Sequence, residues 1–202
     1  MAHATAPAIS KGDRTRARIL DEAASLASIG GIGSVTLGHL AERLGMSKSG
    51  LFAHFDSKEA LQVEILDRAA AQFRARVVDP LVDVPDKSAR LAIFFNRWLD
   101  WIEDPGLGGG CPVLAAAIEF DDVPGPVRET SAGHYGELYD LIRRLVRVSH
   151  PEADAEATAA AIDGLALSHL VRVRLLNEQN ARQDTMRAFE FLLANPPRKE
   201  LP

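Results

Sequence analysis

Apolar residues recur along this chain at spacings of three and four, and no run alternates with a period of two. That spacing puts them on one face of a helix, so the chain is read as helical throughout. A first helix over 13–28 carries Ile19, Ala23 and Leu26 in one row and Ala17, Leu20, Ala24 and Ala27 in the next, and Gly30, Gly31 and Gly33 stop it. In the next helix, Leu37, Leu40, Ala41 and Leu44 share a face, Thr36 stands at the N-cap and Gly45 ends it. A threonine hydroxyl accepts an orphan N–H of the first turn, and glycine tolerates the positive φ of a helix terminus. Ser47 caps a third helix with Leu51 and Phe55 inward, leaving Lys48, Ser49, Gly50, Phe52 and His54 outward. A fourth runs from Ser57 to about 79 with Leu61, Ile65, Ala69, Phe73 and Val77 in a row, and Asp79-Pro80 ends it.

The second half continues in the same period. A fifth helix over 87–103 holds Leu91, Phe94, Phe95, Trp98, Trp101 and Ile102, and a glycine-rich loop follows. A short sixth spans 111–120, and a seventh spans 126–149 with Val127, His134, Leu138, Leu141, Leu145 and Val148 inward. An eighth spans 153–178 and a ninth 185–193, and the tail from Asn195 reads as a frayed stop. The fold class predicted is all-α, with about nine helices.

Composition narrows the function classes. With 202 residues, 47% of them hydrophobic, the chain can build a sizeable core. No run approaches the roughly 18–20 apolar residues of a bilayer span, so no membrane partner is expected. The first ten residues lack the basic and apolar regions of a secretory signal, and the one cysteine, Cys111, cannot form an internal disulfide. A cytoplasmic setting is therefore expected. The formal charge is −5, unevenly spread: seven cations and five anions up to Lys58 give that stretch +2 and leave −7 to the rest. A basic head on an acidic body fits a DNA-binding head, as does ordinary scatter of surface charge. The six histidines His3, His39, His54, His134, His150 and His169 show no metal-ligand spacing, and Gly108-Gly109-Gly110 lacks the lysine of a phosphate loop. No metal or cofactor is expected.

The run from Thr36 to Phe55, with Ser47-Lys48, Leu51-Phe52-Ala53-His54-Phe55 and then Ser57-Lys58-Glu59-Ala60-Leu61, resembles the TetR family (TetR/AcrR type) of one-component bacterial repressors. The resemblance covers roughly 11–72 and implies a helix-turn-helix head there, with the motif over 36–55. By analogy, 73–195 becomes a ligand-binding and dimerisation domain. The family implies a homodimer whose third helices enter the major groove of a pseudo-palindromic operator and which a small effector releases. From the outward face and the helix starts, the expected DNA-binding residues are Thr36, Ser47, Lys48, Ser49, Gly50, Phe52, His54 and Lys58, with Phe52 and His54 equally suited to covering the head's small core. Ser49-Gly50 differs from the family's commoner choices, so no base preference is carried over. Arg14, Arg16 and Arg18 add candidate phosphate contacts. Phe52 stands where the family most often has tyrosine, so its ring is kept and the hydroxyl lost.

Body candidates are less sharply defined. Phe73, Phe94, Phe95, Trp98 and Trp101 suit either a core or the wall of an apolar pocket, with Cys111, His134, Tyr135, Tyr139 and His169 as its polar groups. Cys111 follows three glycines at a helix N-terminus, a place that can lower a thiol pKa, although a lone cysteine among apolar neighbours is also an ordinary core residue. In the eighth helix Ala157, Ala161, Gly164 and Ser168, continuing to Val171 and Leu175, form a small-residue stripe on which two helices can approach closely. With Met186 and Phe189 of the ninth helix it is the expected dimer face. The function expected is a ligand-responsive repressor and not an enzyme. The alternatives carried are a helical enzyme using Cys111 or His134, and a regulator without ligand control.

Overall fold

The computed structural model describes residues 11–199. Nine α-helices occupy them: α1 Lys11–Gly30, α2 Leu37–Leu44, α3 Lys48–Phe52, α4 Lys58–Phe73, α5 Arg90–Ile102, α6 Pro112–Glu119, α7 Pro126–Ser149, α8 Ala155–Arg174 and α9 Ala181–Ala194. A 3-10 turn Ile32–Ser34 joins α1 to α2. The only β-pairing among these residues is one isolated bridge between Ala153 and Arg198.

Two apolar cores divide the molecule. Ile19, Ala23, Ala27, Leu37, Leu40, Leu51, Phe55, Leu61 and Ile65 fill the first, as the helical spacing predicts. Val113 and Ala116 of α6 and Val127 of α7 complete it, so the head is closed from behind by the body. The second core gathers Leu91, Phe94, Phe95 and Trp98 of α5 with Ile142, Val146, Ile162, Ala166 and Phe189. α4 reaches both: Ile65 and Ala69 belong to the head core, while Phe73 and Val77 pack on the body core.

Several expected boundaries shift for local reasons. The fourth helix leaves α geometry after Phe73, passing through a π turn Arg74–Val78 and a 3-10 segment Asp79–Asp83. Pro80 lacks the N–H that an α ladder requires. α5 starts at Arg90 rather than 87 because the Asp86 carboxylate accepts from the Ser88 N–H at 2.9 Å and its hydroxyl at 2.6 Å, folding 86–88 into a local turn. α8 starts at Ala155, where Asp154 caps the Glu156 and Ala157 N–H groups, and it stops short of Asn177, whose φ is +53°. α9 opens at Ala181, four residues earlier than expected. Val148 faces solvent at 54% exposure, and Ile142 and Val146 take the inward places on α7. The tail is not frayed as far as it is described: the Asp154 N–H donates to the Pro197 carbonyl at 2.7 Å. His3 lies outside the described residues.

Candidate DNA interface and sensor cavity

Local chemistry fixes the helix-turn-helix. The Thr36 hydroxyl accepts the His39 N–H at 3.2 Å, and Gly45 ends α2 in the left-handed region, φ 64° and ψ 30°. The Ser47 hydroxyl accepts the Gly50 N–H at 3.1 Å and starts α3. Leu51 and Phe55 are buried beneath it. Thr36, Ser47, Lys48, Ser49 and Phe52 are exposed, and Gly50 and His54 are half-buried, so one outward face carries seven of the eight expected DNA residues. The Lys48 stem crosses Gly38, where a Cβ would stand 3.6 Å from its Cε. Phe52 is 55% exposed and gives this face an apolar edge.

The eighth, Lys58, is exposed as well, and its Nζ donates to the Gly33 carbonyl at 2.7 Å. Arg16 is committed, forking onto both Glu64 oxygens at 2.5 Å and lying 5.0 Å over the Phe55 ring. It ties α1 to α4 instead of facing DNA. Arg14 and Arg18 are exposed.

The Ile32–Ser34 turn is gripped from the body, a feature the sequence did not reveal. Glu119, the last residue of α6, accepts the Ile32 N–H at 2.9 Å and the Gly33 N–H at 3.0 Å. Gln62 donates to the Ile32 carbonyl at 3.0 Å. Beside this turn, Gly109 lies so close to α1 that a Cβ there would sit 1.2 Å from the Ser28 carbonyl oxygen. Arg174, at the end of α8, pins that glycine loop by donating to the carbonyls of Ile102, Leu107 and Gly108 at 2.5–3.1 Å.

Between α4, α5, α6 and α7 lies a cavity of about 620 Å³. Of the expected pocket residues it brings together Phe73, Trp98, Cys111, His134 and Tyr135, and it adds Leu138, Arg74 and Arg144. His134 Nε2 meets Asp67 at 2.8 Å, linking α7 to α4 at the cavity edge. Tyr139 turns to an adjoining groove of about 720 Å³ between α6, α7 and α8, which shares Leu114, Tyr135 and Asp140 with the cavity. Four expected residues stand away from both. Phe95 stacks on Phe189 at 4.2 Å in the body core, and Phe94 and Trp101 are buried behind Phe73. His169 is fully buried, its Nε2 2.8 Å from Glu103 and its Nδ1 3.3 Å from Thr185, and it fastens α8 to α5 and α9. Helical spacing marked these rings as inward without telling wall from core. Burial raises the Cys111 thiol pKa against the opposing hydrogen bonds from Leu114, Trp101 and Val113, so the helix N-terminus does not lower it.

The small-residue stripe is open. Ala157, Gly164, Ser168, Val171 and Leu175 are exposed and Ala161 is half-buried, with Leu176 and Phe191 also exposed. Met186 is partly buried against the body core, and Phe189 is inside it, so Phe189 offers no surface to a second chain. Among the described residues no helix is long and apolar enough to cross a membrane, and no cluster suits a metal ion.

Two family descriptions match. Residues 19–65 match bacterial regulatory proteins of the tetR family, and residues 88–189, half of the chain, match the tetracyclin repressor-like C-terminal domain. The chain belongs to the TetR family. It is thus a transcriptional regulator with a DNA-binding helix-turn-helix head, in a family of regulators and not of enzymes, and the reading of Cys111 or His134 as enzymatic groups lapses. A TetR transcriptional regulator from Chloroflexus aurantiacus is 28% identical with a TM-score of 0.82, over 94% of this chain and 99% of that one. A TetR-family regulator from Streptomyces coelicolor shares the fold at 22% identity and TM-score 0.79, over 90% and 96% of the two chains. A transcriptional regulator from Saccharomonospora viridis, solved in complex with choline, shares it at 20% identity and TM-score 0.73, over 93% and 99%. No curated protein matches the chain.

Proposed function

We propose that this TetR-family regulator is a homodimeric repressor that binds a pseudo-palindromic operator and is released by a small apolar or amphipathic effector. The division of labour falls at 72/73, with the head before it and the sensor and dimer domain after it. The observation that carries the reading is α6. Its first half, Val113 and Leu114 with Cys111 before it, lines the 620 Å³ cavity. Its last residue, Glu119, grips the turn ahead of α2. α4 gives a second route, since Asp67 and Phe73 border the cavity while Leu61 and Ile65 underlie the head. A ligand that displaces α6 or α4 differs in affinity between two head positions, and only such a difference shifts DNA binding.

Lys48, Ser47, Ser49, Gly50 and Thr36 make the first contacts with DNA, with Phe52 and His54 against the sugar-phosphate edge. Lys58, also exposed, reaches the phosphates beside the turn that its Nζ holds through the Gly33 carbonyl. The effector reading rests on Phe73, Trp98, Cys111, His134 and Tyr135, and the choline bound to the Saccharomonospora viridis relative supports a small-molecule sensor. A cavity of this size speaks against a regulator without ligand control, because a filled core would leave none. The dimer reading rests on the open α8 stripe and Phe191. The test is duplex binding measured across a salt series. A repressor's log affinity falls linearly with log salt, by about 0.9 per phosphate neutralised. Binding that ignores salt or sequence would overturn the reading.

A further inference from the structure

Several acidic side chains among the described residues pair with cations. Asp21 holds Arg68, Glu64 holds Arg16, Asp184 holds Arg172 and Arg187, and Glu103 holds Arg182. Asp163, on α8, is different. It is 6% exposed, and both of its oxygens accept from a single hydroxyl, that of Tyr135 at 2.7 and 2.8 Å. A carboxylate offers about four acceptor sites. A buried charge without a counter-ion is costly, and the group either takes a proton or finds a cation. Burial pushes the Asp163 pKa up, and Tyr135 alone opposes this. The tyrosine in turn is driven far above its ordinary value, first by burial and then by Asp163.

What faces this pair is built for a cation. Tyr135 and Tyr139 form a corner of two rings, 5.8 Å apart and inclined at 37°, on the wall of the 720 Å³ groove. Leu114, Ala132 and Leu167 make the groove apolar around them. Its two guanidiniums already have acceptors: Arg143 binds Asp140 and Glu156, and Arg128 donates to the Asp121 carbonyl at 2.7 Å. Arg143 lies 5.3 Å over the Tyr139 ring, so this corner already holds one cation against a π face.

We propose that the groove between α6, α7 and α8 is a second ligand site, which takes an organic ammonium ion against Tyr135 and Tyr139 with Asp163 as its counter-charge. The ion's apolar part lies along Leu114 and Leu167. Asp163 remains behind the Tyr135 hydroxyl and acts through its charge, so the site accepts a protonated amine or a quaternary ammonium alike. The site adjoins the 620 Å³ cavity across Leu114, Tyr135 and Asp140, which border both.

The test is calorimetric titration of the full chain, without DNA, using hexylammonium, hexanol and tetraethylammonium. Hexylammonium is expected to bind at least about tenfold more tightly than hexanol, a gap of roughly 1.4 kcal/mol. Asp163→Asn keeps the shape and an acceptor for Tyr135, and it should erase that gap. Tyr139→Leu should weaken both cations and leave hexanol unchanged. Tetraethylammonium binding shows that charge suffices; failure of that ion alone would narrow the site to protonated amines and contradict the claim for both. Equal affinity of hexylammonium and hexanol, or a gap that survives Asp163→Asn, overturns the proposal. So does an absence of binding, as when a second copy of the chain fills the groove. If Asp163→Asn does not fold, Tyr139→Leu decides, since its ring lies outside the buried core. Operator binding is measured apart from this titration, so loss of one reading leaves the other standing.

Discussion

Two lysines of the head show how far a residue's role depends on its partner. Lys48 is exposed over Gly38, while Lys58, exposed as well, also holds the Gly33 carbonyl. Lys48→Ala should therefore weaken operator binding across all sequences and reduce the slope of log affinity against log salt by about one. Lys58→Ala should in addition loosen the head turn and lower the thermal midpoint. Both effects are read by operator titration alongside circular dichroism. At the same scale, burial holds the His169 pKa below its ordinary 6.5, against Glu103, which raises it. The unfolded chain then takes the proton first as pH falls below that value, so this histidine's contribution is present above it and is lost on acidification. His169→Gln should flatten the fall in melting temperature between about pH 7 and pH 5. Such pairings were not legible in the sequence. Periodicity marks His169, Phe95 and Trp98 as inward equally, and only the packing separates a wall residue such as Trp98 from a stacked core ring such as Phe95. Trp98 is itself 3% exposed, and its loss to alanine would cost about 3–5 kcal/mol of core packing whatever it does for a ligand.

Elements were far more legible than their partners. The period of the apolar rows locates all nine described helices, and the Thr36, Gly45 and Ser47 caps place the helix-turn-helix to within a residue. Ends were missed where a local hydrogen bond wins over periodicity, as at Asp86 and Ser88 or at the π turn after Phe73. The role of α6 was not legible at all. Glu119 is an exposed polar residue on an alanine-rich helix, and nothing in its spacing points to an N–H pair more than eighty residues away. If α6 is the lever between cavity and head, Glu119→Ala should speed amide hydrogen exchange at Ile32 and Gly33 and weaken operator binding. Glu119→Gln, which keeps one acceptor oxygen, should fall between. Unchanged exchange at those two amides would remove α6 from the coupling route.

For the whole molecule, the proposed dimer pairs this head with a second one. The α8 face from Ala157 to Leu175 is uncovered in one chain, and a Cβ at Gly164 would meet nothing within 4 Å. Gly164→Glu therefore leaves the protomer undisturbed and places a charge in the middle of the stripe. It should give a monomer by sedimentation and abolish tight operator binding, because one head engages only a half-site. The charge division fits the same layout: the stretch up to Lys58, which carries the expected DNA-binding residues, is +2 and the rest of the chain −7.

The most direct test of the central claim is selection of bound duplexes from a random pool, using the full chain. The account predicts enrichment of a pseudo-palindrome whose half-sites lie about one helical turn apart or a multiple of it. It also predicts that Lys48→Ala depletes that enrichment. Recovery of no sequence, or of single half-sites with no symmetric mate, would contradict it.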